Sequence, residues 1–170
     1  MRVRLNADGG LAAPGLNADP DFGELTVDDG TGVALTTPTT AADIKGLPMA
    51  AGLSSGCTLS ATDGSITINR PGRYLVSFTV AEVTAVNSQV ITVDVYKNAA
   101  VLSPAIKATL TQPGTAIPRV SLAGQGMVSL TKNDVLTLRA TADTGNFTTK
   151  RVRFSAVQLQ DLPAATVAGQ

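Results

Sequence analysis

Histidine and tryptophan are absent from this chain of 170 residues, cysteine occurs once, and aromatic side chains make up only 4% of it. Without histidine, the commonest general base and metal ligand near neutral pH is missing, and Ser-His-Asp or Cys-His nucleophilic systems are excluded. The lone Cys57 cannot close an intrachain disulfide. With no imidazole to activate it, it reads as a small buried hydrophobe. Met1-Arg2-Val3-Arg4 leads into no apolar signal-peptide core, and nowhere do 18 apolar residues run together. Synthesis in a reducing cytoplasm and no membrane span are the expectations. Glycine-rich phosphate loops are missing, and zero net charge without tryptophan argues against nucleic-acid binding.

Catalysis by paired carboxylates finds little support. Beyond residue 56 the acids are Asp63, Glu82, Asp94, Asp134, Asp143 and Asp161, and turn chemistry accounts for Asp63, Asp134 and Asp143. An enzyme is not expected, and neither is a cofactor. Asp28-Asp29-Gly30-Thr31-Gly32 offers adjacent oxygen ligands but lacks the alternating ligand spacing of a calcium loop, so it reads as a turn rather than a metal site. Lys150-Arg151-Val152-Arg153, the densest basic cluster, places Arg151 and Arg153 on one strand face, which reads as solvated or in contact with another subunit.

What the chain does have is apolar aliphatic side chains: 44% of residues are hydrophobic, enough to bury a real core. They are unevenly placed. Residues 1–50 are rich in Gly, Pro, Asp, Asn, Thr and Ala without a sustained period of 2 or 3.6, so they are expected to be mostly irregular. Thr40-Ala41-Ala42-Asp43-Ile44-Lys45 could make one helical turn before Gly46 and Pro48 stop it. Leu5-Asn6-Ala7-Asp8 recurs as Leu16-Asn17-Ala18-Asp19, which reads as two similar turns, each anchored by a leucine. Seven acids against Arg2, Arg4 and Lys45 give residues 1–50 a charge of 3 − 7 = −4, leaving 10 − 6 = +4 on residues 51–170. That asymmetry suggests an acidic arm able to settle on the body of a neighbouring copy.

From residue 57 the pattern becomes alternation. Tyr74, Val76, Phe78 and Val80 share one face of a half-buried strand, as do Ile91, Val93 and Val95; Val128 and Leu130; Leu136, Leu138 and Ala140; and, more briefly, Ile66 and Ile68. Val152-Arg153-Phe154-Ser155-Ala156-Val157-Gln158-Leu159 slips from even to odd positions, which implies a β-bulge or a strand covered on both sides. Turn signals at Asp63-Gly64, Arg70-Pro71-Gly72, Lys97-Asn98, Gln112-Pro113-Gly114, Gly124-Gln125-Gly126, Asn133-Asp134 and Thr144-Gly145-Asn146 divide residues 57–160 into about eight strands. The expected architecture is all-β, an eight-stranded antiparallel jelly-roll sandwich. Its divisions are an extended N-terminal arm (1–56), the jelly-roll domain (57–162) and a flexible C-terminal tail (163–170).

The order Gly72-Arg73-Tyr74-Leu75-Val76-Ser77-Phe78, Val93-Asp94-Val95-Tyr96-Lys97-Asn98, Val128 to Leu138 and Phe154-Ser155-Ala156-Val157-Gln158-Leu159 resembles the jelly roll of tumour-necrosis-factor-like proteins and complement-type globular heads. Domains of this kind occur also in tailed bacteriophages, as trimeric capsid decoration (cement) proteins and as fibre heads. The hairpin at Lys97-Asn98-Ala99 departs from the Asn-Gly of many relatives, leaving its turn type open.

The resemblance implies a homotrimer, with outward apolar residues such as Leu75, Tyr96 and Val135 (and Val90) at the subunit interface. It implies a structural virion protein on the outer capsid surface, bound to the major capsid protein. Arg2, Arg4, Leu5, Leu16, Phe22 and Leu25 of the arm would then make the partner contact. The alternative is a phage fibre head recognising a host cell-surface glycan through loops 84–89, 111–116 and 143–149. On the decoration reading, deleting residues 1–50 is expected to abolish capsid binding while the trimer persists.

Overall fold

The computed structural model describes residues 4–5, 11–12, 20–35, 42–43, 49–84, 89–112, 120–144 and 146–161. These contain strands and no helix: β1 (Arg4–Leu5), β2 (Leu11–Ala12), β3 (Phe22–Leu35), β4 (Ala42–Asp43), β5 (Ala50–Ser55), β6 (Cys57–Ser60), β7 (Ser65–Ile68), β8 (Gly72–Val83), β9 (Val90–Lys97), β10 (Ala100–Val101), β11 (Lys107–Thr111), β12 (Val120–Leu130), β13 (Val135–Ala142) and β14 (Phe147–Asp161). Residues 57–161 carry eight strands of four residues or more plus the two-residue β10, in line with the expected spacing.

All pairings are antiparallel. One sheet runs β12-β8-β14-β3-β5; the other runs β10-β9-β13-β7-β6, with β11 also on β9 and β4 also on β13. Leu25, Val27, Tyr74, Val76, Phe78, Val80, Val152 and Phe154 from the first sheet join Ile66, Ile68, Ile91, Val93, Val95, Leu136 and Leu138 from the second in one buried cluster. Alternation in the sequence thus translates directly into inward and outward faces.

Two close approaches shape this core. A Cβ on Gly124 would lie 2.6 Å from Cε1 of Phe78, and one on Gly126 would lie 2.9 Å from Cγ1 of Ile106. Glycine at these inward positions of β12 makes room for the larger side chains opposite. At the β9–β10 hairpin, Ala100 pairs with Lys97, so the loop is Asn98-Ala99, and both residues have positive φ (50° and 67°). That is the signature of a type I′ turn, in which alanine occupies a position that favours glycine. Ser103-Pro104 is a cis peptide bond.

The N-terminal region departs most from expectation. Residues 22–35, expected to be irregular, form β3 and pair with β14 from Phe22↔Val157 to Phe147↔Leu35. β5 in turn pairs with β3, so two strands of the expected arm complete the five-stranded sheet, and a boundary at residue 57 falls inside the sandwich. Leu25, expected as a partner contact of the arm, is fully buried in the core. A strand that closes a sheet on β14 must bury its inward side, and Gly23, Leu25 and Val27 supply that side. Asp29-Gly30-Thr31-Gly32, read as a turn, is instead a bulge. The register steps from Thr149↔Val33 to Arg151↔Asp28, so these four residues of β3 oppose Lys150 alone. Ala42 and Asp43 pair with Ala140 and Arg139 as β4, where a helical turn was expected. Arg2, Leu16 and the tail 163–170 lie outside the described residues.

Three outcomes follow. Gly124→Ala should destabilise the fold by about 1–3 kcal/mol through overpacking against Phe78, seen as a lower denaturation midpoint. Ala99→Gly should stabilise it by about 0.5–1 kcal/mol, since the turn's φ values suit glycine. Deleting residues 1–50 should abolish cooperative thermal unfolding, reversing the expectation of an intact body, because β14 loses its pairing with β3 and the core loses Leu25 and Val27.

Candidate functional site

Outward residues of the five-stranded sheet form rows set by strand register. The first row crosses four strands as Phe22 (β3), Val157 (β14), Leu75 (β8) and Met127 (β12). Met127 is 68% exposed, Val157 37%, and nearby Leu159 54%, so apolar surface is left facing water on a single chain. The second row is Glu24, Ser155, Ser77 and Gln125, with Ser77 Oγ and Ser155 Oγ 2.9 Å apart. The third is Thr26, Arg153, Thr79 and Ala123; the fourth is Asp28, Arg151 and Ala81. One face therefore grades from apolar through small and polar to charged.

At the charged end, Arg153 Nε lies 2.7 Å from Glu24 Oε1. Arg151 Nε donates to Asp28 Oδ1 at 3.0 Å, and its Nη1 lies 3.4 Å from Glu82 Oε1. Hydrogen bonding to Asp28, then the charges of Asp28 and Glu82, raise the Arg151 pKa. A hollow of about 410 Å³ opens here, lined by Thr26, Asp28, Thr79, Ala81, Arg151 and Arg153 together with Val27 and Val152. Glu82 has φ 54°, where the pairing of β8 with β12 shifts register between Val120 and Leu122.

The N-terminus of β3 is clamped. Asp21 is fully buried and lies 2.6 Å from Arg70 Nη2, while Arg70 is half exposed. Gln158 N–H donates to Asp21 O at 2.7 Å, and Asp21 N–H donates to Gln158 Oε1 at 3.3 Å. This explains the slip in the last strand. Even positions stay inward through Gln158, which holds Asp21, while Val157 and Leu159 face outward, so no bulge falls at Ala156-Val157, where the sequence pattern slips; the register of β14 with β8 shifts instead between Gln158 and Gln160. Sequence reasoning missed Asp21, Gln158 and Arg70; the available signal was that Gln158 continues the even positions of Val152, Phe154 and Ala156.

These pairs also change the meaning of the charge asymmetry. Asp21, Glu24 and Asp28, three of the arm's seven acids, meet Arg70, Arg153 and Arg151 of the same chain. On the single chain, then, these opposite charges meet one another.

Of the expected interface residues, Leu75 sits in the apolar row beside Phe22's strand partner, whereas Tyr96 and Val135 lie on the outward face of the other sheet. There Arg139 stacks over the Tyr96 ring, its guanidinium carbon 4.3 Å from the centroid. Arg4 and Leu5 lie in β1, paired with β2. The ends of the three candidate loops converge at one end of the sandwich. Gln112 N–H donates to Gln89 O at 2.8 Å, Asp143 N–H to Val90 O at 3.1 Å, the Gln89 amide to Thr144 O, and Thr84 bridges Thr148.

The turn acids take structural roles. Asp63 accepts from Ser60 Oγ at 2.7 Å, Asp143 accepts from Val90 N–H at 2.8 Å, and Asp134 accepts from Thr131 N–H at 2.8 Å and from Asn98 Nδ2 at 2.7 Å. Burial alone would raise the Asp134 pKa, but these bonds and Lys97 outweigh it and hold the carboxyl below its ordinary value. Among the described residues no three His, Cys, Asp or Glu side chains gather in a metal-binding group. Cys57 is buried, and its pKa is pushed from 9.0 to about 11 by burial and then by Asp21, with Arg70 opposing.

No family model and no curated protein matches the sequence. Solved structures do match. Eiger TNF from S. frugiperda superposes with a TM-score of 0.61 at 14% identity, over 87% of this chain and 98% of that one. The globular domain of zebrafish complement 1qA gives 0.56 at 9% identity, over 79% and 94%. Murine APRIL, in a crystal structure at pH 5.0, gives 0.53 at 16%, over 81% and 99%. The chain is therefore an all-β sandwich with the TNF- and C1q-type jelly-roll fold, as the strand order suggested.

Arg70→Ala should cost about 3–5 kcal/mol, because it strands a buried carboxylate. Asp21→Asn should cost less, since the half-exposed arginine it leaves can turn to water. Equilibrium urea unfolding of the two variants checks the order. For Cys57, a thiol that stays neutral in the fold to about pH 11 but ionises near 9.0 when unfolded favours the unfolded chain as pH rises. Its contribution is full below pH 9 and should fall by at most about 2–3 kcal/mol by pH 11. Cys57→Ala should lack that part of the alkaline loss.

Proposed function

We propose that this protein is a non-catalytic structural module that assembles as a homotrimer and decorates the outer surface of a tailed-bacteriophage capsid, bound to the major capsid protein. The observation that carries the reading is the apolar row Phe22, Val157, Leu75 and Met127, which crosses four strands, with Val157 and Met127 exposed and Phe22 and Leu75 partly exposed on the single chain. A face of this kind supports burial against a second copy. The resemblance of the strand order to phage decoration domains supports the capsid as the larger partner. Binding only the assembled shell would stabilise it by mass action.

With β3 and β5 built into the sandwich, the candidate capsid-binding segment contracts to residues 1–19, with Arg2, Arg4, Leu5 and Leu16. Phe22 passes to the self-association face. A glycan-binding fibre head is the second reading, favoured by the convergence of the ends of loops 84–89, 111–116 and 143–149.

Sedimentation after mixing with undecorated capsids and with host cells tests both readings. Decoration requires pelleting with capsids, and pelleting with cells alone overturns it. Removing residues 1–19 should abolish capsid binding and leave the trimer. Leu75→Asp combined with Met127→Asp should give a folded monomer by light scattering at micromolar concentration; an unchanged oligomer would remove the apolar row from the interface.

A further inference from the structure

The charged rows lie on the same outward face as the apolar row, and they are self-complementary. Arg151 and Arg153 stand beside Glu24, Asp28 and Glu82, so two positive and three negative groups share one end of one sheet. Arg151, Arg153 and Asp28 are mostly exposed, at 61%, 70% and 76%, while Glu24 and Glu82 are largely covered, at 28% and 22%. Ion pairs made by exposed arginines are weakened by solvent screening, so they are easily redistributed. Their arrangement is also lopsided. Glu24 and Asp28 approach the arginines from β3; on the β8 side Glu82 reaches Arg151, while the direct neighbours Thr79 and Ala81 carry no charge. Those short side chains leave the hollow of about 410 Å³ against both guanidinium groups.

We propose that, in the self-assembled protein, this hollow receives carboxylates of a neighbouring copy, so that Arg151 and Arg153 of one chain pair with Glu24 and Asp28 of the next. This rests on the self-association reading and adds to it a division of labour. The apolar row supplies the drive to associate, and the charged rows choose partner and register. An apolar strip alone tolerates sliding along its length. Charges of fixed spacing do not, because a slipped register opposes like charges. A second copy of this chain is the partner that the face fits, since the basic stripe on β14 of one chain can meet the acidic stripe on β3 of the next, the head-to-tail contact that a closed ring uses.

Charge reversal in trans provides the test. Arg153→Glu and Glu24→Arg are made separately, their folding is checked by thermal melting, and self-association is measured by sedimentation equilibrium against the unaltered protein. Each single variant should associate about tenfold or more weaker. Mixed together they should form a hetero-oligomer that neither forms alone, and raising the salt should weaken the unaltered oligomer. Arg151→Glu with Asp28→Arg is a second, independent pair should either member of the first fail to fold. A monomeric unaltered protein overturns the self-association reading itself. An intact oligomer that ignores the reversals, or one whose single variants weaken without recovery on mixing, leaves that reading standing and overturns the exchange of carboxylates between copies.

Discussion

The fold depends on the zipping of β3 onto β14. Without it the five-stranded sheet would end at its last strand, and the inward side of Phe154 and Ala156 would lack Gly23, Leu25 and Val27 as neighbours. The pairing is held at one end by the buried Asp21, tied to Arg70 and Gln158, and along its length by Glu24 with Arg153 and Asp28 with Arg151. A buried carboxylate is costly unless paired, so the clamp works more as a specification of where the chain must enter the sheet than as a source of stability. It fixes register, and register decides which side chains face inward.

The same pairing builds the outward face. Phe22 and Val157 are brought level with Leu75 and Met127 only because β3, β14, β8 and β12 lie side by side in that order. The residues come from four separate stretches of chain and mean nothing as a linear motif. The arginines likewise gain their carboxylates from the far end of the sequence. A jelly roll of this type is thus divided in labour. Its interior is generic aliphatic packing, while its two outer faces carry different chemistry: graded apolar-to-charged on one, and on the other the Tyr96–Arg139 stack.

Legibility followed the length of the alternation. β8, β9 and β13 were readable because six or more residues each kept one period against a core built from one side. β3 was not. Its alternation spans only Gly23 to Val27, Gly23 carries no hydrophobic signal, and the acids that flank it resemble a solvated tail. Gly23 is small because Leu59, Cys57 and Ile66 press against it, a demand that comes from the opposite sheet. Gln158 hid in the same way, since a lone polar residue in a strand is read as facing outward unless its buried partner is known. The candidate face was half legible: Leu75 was recognisable as apolar on the wrong side of its strand, but Tyr96 and Val135 share that property while lying on the other sheet.

The sequence by itself determined the all-β class, the eight-strand spacing after residue 57, the burial of Cys57 and the structural use of Asp63, Asp134 and Asp143. Each rests on local periodicity or on turn chemistry within a few residues, or else on the general tendency of free cysteine to be buried. Only the tertiary structure decided that the acidic segment is a strand, that its charges are answered within the chain, and which outward residues lie together. Those outcomes depend on partners more than a hundred residues away, such as Gln158 for Asp21 and Arg151 for Asp28, and pairing at that distance leaves no period to read.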